Sequence, residues 1–112
     1  SCSLIEHAVT SVLERYGIPM DFVASAASAD VKSQERGLFD FVEKYRKKLH
    51  FFTAEQLNAV TVPNPSEYAM KHLGINSVSE ASALLGAGEG GTLFVEKTVF
   101  DEVTVALAKM KD

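Results

Sequence analysis

The chain has 112 residues, the size of one compact domain, and its 46% apolar and 23% charged residues are the balance of a globular protein with one core. Eleven basic against fifteen acidic side chains give a formal charge of −4, so no general positive field is present to draw in nucleic acid or an acidic membrane. The single cysteine, Cys2, excludes an internal disulfide, and with no signal-like stretch or long apolar run the reducing cytoplasm is the expected compartment.

Leu4, Ile5, Ala8, Val9, Val12, Leu13 and Tyr16 recur at helical spacing, with Ser3 and Glu6 placed as a capping box. This helix is expected to end at Gly17, ahead of Ile18 and Pro19, and Phe22 to Ala26 then reads as a short buried strand. A second apolar stripe, Leu38, Phe41, Val42 and Tyr45, predicts a helix from Gln34 or Glu35, with Lys44, Arg46, Lys47 and Lys48 near its carbonyl end. Leu49 to Phe52 reads as the second strand, and Thr53 with Gln56 as the capping box of a short helix reaching Val60.

Asn64, Pro65, Ser66 and Glu67 read as a helix start in which Asn64 caps and Pro65 takes the first helical position; Gly74 ends that helix. Ser77 and Glu80 predict another capping box, opening a helix with Val78, Ala81, Leu84 and Leu85 on a narrow face. Thr92 to Val95 and Val103 to Ala108 are rich in strand formers and are expected to pair through a turn at Lys97 to Glu102. The expected fold is α/β, a three-layer α/β/α domain spanning 1–112 with a mixed sheet, burying Leu4, Val9, Val12, Leu38, Val42 and Leu84.

Gly86, Gly88 and Gly91 match G-x-G-x-x-G, but they follow a helix and precede a strand, the reverse of a dinucleotide-binding turn. His7, His50 and His72 lie on separate elements without the spacing of a metal motif, so no metal ligand set is expected. The basic run from Lys44 to Lys48 lacks interleaved aromatic platforms and reads as a solvated helix end.

Two places carry chemistry. Between Ser28 and Gly37, Asp30, Lys32, Ser33, Glu35 and Arg36 crowd the turn from a strand end into a helix, the favoured ligand position of open α/β sheets. The local alternative is that Ser33 caps the helix, Glu35 favours its positive end and Lys32 is solvated. The Asn64–Glu67 helix start offers amides to a carboxylate or phosphate, although Glu67 already answers the dipole there.

The segments Ser28-Ala29-Asp30-Val31-Lys32-Ser33-Gln34-Glu35-Arg36-Gly37-Leu38, Val62-Pro63-Asn64-Pro65-Ser66-Glu67, Ser77-Val78-Ser79-Glu80-Ala81 and Lys97 with Val103-Thr104-Val105-Ala106 carry a resemblance in their order and spacing. Together they resemble the C-terminal domain of the cobalamin-biosynthesis G protein, the cobalt-precorrin-5A hydrolase family, and its stand-alone relative CobE. That family opens with a strand and a glycine-containing turn that includes a cysteine. Ser1 enters after that turn, so Cys2 is not expected to be the family's cysteine.

The resemblance implies an enzyme domain that opens the ring-A lactone of cobalt-precorrin-5A, with release of acetaldehyde. Lactone hydrolysis needs an activated water and a stabilised oxyanion, and Glu35 and Lys32 are the candidates for those tasks. Asn64, Ser66 and Lys97 are the expected substrate contacts. No cofactor is implied, because cobalt would arrive inside the corrinoid substrate; the other partners implied are further domains of a longer polypeptide. The alternative from a different class is a non-catalytic module that binds or hands over corrinoid precursors. A phosphoacceptor signalling domain fits the size and α/β pattern but lacks the acidic pair after a first strand.

Overall fold

A computed structural model describes residues 2–100 and 102–112. In chain order the elements are α1 (Cys2–Arg15), β1 (Ser25–Ala29), α2 (Arg36–Tyr45), β2 (Lys48–Phe52), α3 (Ala54–Asn58), α4 (Glu67–Leu73), α5 (Ser79–Ala87), β3 (Thr92–Phe100) and β4 (Val103–Lys109). Single 3-10 turns occupy Met20–Phe22 and Asp30–Lys32. The described residues thus form a mixed α/β fold with five α-helices and two small sheets. Among the described residues no helix is long and apolar enough to cross a membrane.

β1 and β2 pair in parallel, from Ser25 opposite Lys48 to Ala29 opposite Phe52, with α2 as the crossover that parallel pairing requires. β3 and β4 form an antiparallel pair. Hydrogen bonding divides the strands between these two pairs, where the sequence reading expected one mixed sheet. α5 spans the division. Its Ala81 and Leu85 pack in a cluster with Ala29, and its Ser82 hydroxyl reaches the Ala27 carbonyl at 3.3 Å.

The first strand lies three residues later than expected. Phe22 falls in a 3-10 turn and is 78% exposed, whereas the strand itself is Ser-Ala-Ala-Ser-Ala. Packing explains the shift: a Cβ built on Gly86 would lie 3.3 Å from the Ala27 Cβ, so α5 comes close only because both residues are small. Alternation serves both faces of β1, with Ala26 packing beside Leu49, Ile5, Phe41 and Val42 while Ala29 packs beside Leu57, Ile75 and Ala81.

A third cluster joins Ala8 and Val12 of α1 to Val95 and Val105. Of the side chains expected in the core, Val12 and Val42 are buried, and Val9, Leu38 and Leu84 are half-buried. Leu4 is 37% exposed, on the margin of the stripe that Ile5 and Ala8 bury. Ser3 sits inside α1, not ahead of it, and Glu6 turns to α2, accepting hydrogen bonds from Tyr45 Oη and, at 2.7 Å, from Lys44 Nζ.

Candidate functional site

β1 ends at Ala29 and the chain turns at once through Asp30–Lys32, with the Ser33 amide donating to the Asp30 carbonyl at 3.0 Å and the Glu35 amide to the Lys32 carbonyl at 2.9 Å. This compact turn delivers Lys32 and Glu35 to the carboxyl end of the parallel pair. Ser33 does not cap α2. Glu35 holds that position with extended backbone, and its carboxylate makes no capping bond, because the preceding turn already fixes the chain's entry into the helix. Lys32 and Glu35 are both exposed. Among the described residues the ion pairs are Arg36–Asp40, Lys44–Glu6 and Lys109–Asp112, so neither candidate is committed to a partner.

The second group is arranged differently from the expected capping pattern. Ser66, not Asn64, caps α4, its hydroxyl accepting from the Ala69 amide at 3.0 Å. Asn64 instead turns to Glu80: its amide nitrogen donates to Glu80 Oε1 at 3.0 Å and its Nδ2 to Glu80 Oε2 at 2.8 Å. The same Nδ2 donates to Glu96 Oε1 at 2.9 Å. Lys97 lies inside β3, not in a turn, and its backbone amide donates to Glu80 Oε2 at 2.9 Å. Asp101, within the turn the sequence suggested, lies outside the described residues, as does Ser1.

Two of the three expected substrate contacts, Asn64 and Lys97, are therefore brought together, and the residue that joins them is Glu80, fully buried on α5. Ser66 is occupied as a cap. The cluster that packs Ala29 with Ala81 and Val78 sets the amino end of α5, and Glu80 with it, at the carboxyl end of β1, the end from which Lys32 and Glu35 depart. Asn58 is a further organiser that the sequence reading passed over. Its Nδ2 donates to the Gly74 carbonyl at 2.8 Å and its Oδ1 accepts from the Asn76 amide at 2.7 Å, pinning the chain between α4 and α5.

The concavities are open. One, of about 300 Å³, is lined by Asn58, Val60, Val62, Pro65 and Asn76; another, of about 480 Å³, by Val60, Leu84, Leu85, Gly88 and Gly91. Neither is lined by Lys32, Glu35, Asn64, Ser66 or Lys97. Among the described residues no group of three or more His, Cys, Asp or Glu side chains could hold a metal ion. The arrangement suits an open edge that meets a large ligand with a free cation and a free carboxylate.

Residues 1–108 match the family described as Cobalamin synthesis G C-terminus. The chain is 28% identical over 108 residues to a cobalt-precorrin-5A hydrolase of Priestia megaterium, covering 96% of this chain and 29% of that protein. It is 31% identical over 107 residues to a probable cobalt-precorrin-5A hydrolase of Methanocaldococcus jannaschii, covering 93% of this chain and 32% of that one. The chain thus spans about a third or less of the length of these two curated relatives. The crystal structure of CobE, a protein from the cobalamin (vitamin B12) biosynthetic pathway, superposes with a TM-score of 0.91 at 27% identity, covering 99% of this chain and 82% of that one.

Proposed function

The chain belongs to the cobalamin synthesis G C-terminal family, within cobalamin biosynthesis, and from that premise we propose that it acts as one domain of a cobalt-precorrin-5A hydrolase. In this reading a longer polypeptide opens the ring-A lactone, and this domain supplies the edge formed by Lys32 and Glu35. Glu35 takes a proton from the water that attacks the lactone carbonyl carbon, and the Lys32 ammonium stabilises the oxyanion that forms. Collapse of the tetrahedral intermediate breaks the acyl carbon–oxygen bond and leaves a carboxylate and a hydroxyl on the two-carbon unit. Loss of that hydroxyl's proton to solvent then forms the aldehyde carbonyl as the carbon–carbon bond to the macrocycle breaks, the electron pair passes to the ring system, and acetaldehyde departs. Cobalt belongs to the substrate in this scheme, and the reaction runs in the cytoplasm.

The observation that carries the proposal is that both side chains are exposed at the carboxyl end of the parallel pair and, among the described residues, in no ion pair. A second reading, a module that binds or hands over corrinoid precursors without turnover, is favoured by the exposure of both groups, since an open edge holds a ligand but does not exclude water from it. The two faces of β1, one covered by the α1 and α2 residues and one by the α3 and α5 residues, support a three-layer reading of the fold.

The deciding experiment incubates cobalt-precorrin-5A with the full polypeptide, with this chain alone, and with a full polypeptide carrying Lys32→Ala and Glu35→Gln, and measures acetaldehyde. Turnover by the full polypeptide that falls in the double variant supports the hydrolase reading. Tight corrinoid binding with no turnover by any form supports the hand-over reading.

A further inference from the structure

The chain before α4, the amino end of α5 and the middle of β3 meet at one side chain. Glu80 is 0% exposed, and its carboxylate accepts from Asn64 N–H, Asn64 Nδ2 and Lys97 N–H. The strand register explains the third of these. Between the pairs Val95–Leu107 and Thr98–Val105, β3 advances by three residues while β4 advances by two, and such a bulge frees backbone groups from the ladder. Lys97 N–H lies in that stretch and is satisfied by Glu80 instead.

On the other side the Asn64 amide group is oriented by two carboxylates, Glu80 and Glu96, both of which take hydrogens from Nδ2. Its Oδ1 accepts no hydrogen bond among the described residues and is available as an acceptor. A buried carboxylate is a costly way to join three segments, because an apolar side chain of similar volume would fill the space without the desolvation penalty. What a carboxylate can do, and an apolar group cannot, is fix the directions of the donors that converge on it.

We propose that Glu80 is a positioning residue of the corrinoid site, holding Asn64 and Lys97 in one geometry so that the Lys97 ammonium meets a carboxylate of the substrate and Asn64 Oδ1 accepts from a donor on it. The Lys97 ammonium is in no ion pair among the described residues, and a corrin precursor carries many carboxylates. This assignment rests on the corrinoid reading above, and names residues on β3 and the chain before α4 that the Lys32–Glu35 edge does not include.

The test uses the full polypeptide and two probes: cobyrinic acid, a cobalt corrinoid with free carboxylates, titrated by its absorbance, and cobalt-precorrin-5A in steady state. Glu80→Gln and Lys97→Met should each weaken cobyrinic acid binding by about tenfold and raise KM by a similar factor, with kcat within about twofold. Asn64→Ala and Lys97→Met leave the Glu80 carboxylate in place, so they report on the site even where Glu80→Gln folds poorly. Val12→Ala, which opens the core between α1 and the β3–β4 pair, is the control for lost stability, and its KM should match the parent's.

Unchanged binding in Lys97→Met and Glu80→Gln overturns the assignment, and so does an equal KM rise in Val12→Ala. If Lys32→Ala and Glu35→Gln abolish turnover while Lys97→Met and Glu80→Gln leave KM unmoved, the hydrolase reading stands and the positioning role falls. If the parent binds neither probe, both fall.

Discussion

Replacing Glu80 by Gln tests the hub at constant shape. The carboxylate receives two donors on Oε2, from Asn64 Nδ2 and Lys97 N–H, and one on Oε1, from Asn64 N–H. Gln keeps one acceptor oxygen. If that oxygen takes the two-donor position, its NH2 group faces the Asn64 amide and leaves a partly buried donor unsatisfied, at a cost of about 1–3 kcal/mol. The two surviving bonds become neutral and lose on the order of 1 kcal/mol each, while the lighter desolvation of a neutral amide offsets part of the loss. The net expectation is a destabilisation of about 2–4 kcal/mol, a large share of the roughly 5–15 kcal/mol that holds a domain of this kind together. The chain has no Trp, so urea unfolding is best followed by far-UV circular dichroism. The midpoint should fall at constant m-value, and the thermal midpoint should drop by roughly 10–20 °C. A loss below about 0.5 kcal/mol would refute the reasoning, because it would mean that none of the three donors depends on a carboxylate.

In the full polypeptide, Lys32→Ala and Glu35→Gln should each lower kcat/KM by about tenfold or more, roughly 1.4 kcal/mol of transition-state stabilisation, while unfolding free energy moves by less than about 0.5 kcal/mol, since both side chains are exposed and in no ion pair among the described residues. Gly91→Ala should destabilise by about 1–3 kcal/mol in the same urea assay, because the new Cβ would lie 2.7 Å from the Ala87 Cβ and 3.0 Å from the Gly88 carbonyl oxygen. The hydrogen bond from Lys44 and then that from Tyr45 hold Glu6 below its ordinary 4.5, so its stabilising contribution is present above that pH and fades as pH falls through the lowered value. The Glu6 bond also raises Lys44 above 10.5 and Tyr45 above 10.0, so the same contact is complete below about pH 10 and lost as pH rises through the raised values; Glu6→Gln should erase both limbs in stability measured against pH.

Local signals were legible where a residue's partner lies within a turn of it. Thr53 and Gln56 were read as a capping box, and both reciprocal bonds are present, at 3.1 and 2.9 Å. The apolar stripes of α1 and α2 placed those helices, and the β-branched run near the carboxyl end placed β3 and β4 as a pair. β1 was less legible because its Ser and Ala residues carry no strand signal of their own; the strand is selected by α5 packing close against Ala27, while the more hydrophobic Phe22 stays outside. The extension of β3 through Lys97 to Phe100 was hidden for a related reason. A bulge disturbs the period-two alternation by which strands are recognised, and Lys97 reads as a turn residue until its pairing partner is known.

The candidate site separates along the same line. Lys32 and Glu35 were singled out from sequence because their setting, a strand end running into a helix, is itself local, and that setting is the one the fold has. Glu80 was visible too, but its spacing from Ser77 assigned it the local task of a capping box. In the fold Ser77 accepts from the Ala81 amide at 3.2 Å, which leaves Glu80 free of that duty, and its carboxylate reaches 16 positions back to Asn64 and 17 forward to Lys97. Nothing in the spacing of a single sequence distinguishes a glutamate that closes its own helix from one that ties distant segments together. The discriminating fact is burial: a capping glutamate can remain in water, whereas one with no exposed surface must find every partner inside the protein. Glu80 finds its partners at two positions, Asn64 and Lys97, which the sequence had singled out for substrate on other grounds. Their convergence on one buried carboxylate makes the region a single geometric unit. A change at any of Asn64, Glu80 or Lys97 should therefore disturb the other two, and a double-mutant cycle between Asn64→Ala and Lys97→Met on corrinoid binding should give a coupling energy of about 0.5 kcal/mol or more, although the two residues share no direct hydrogen bond.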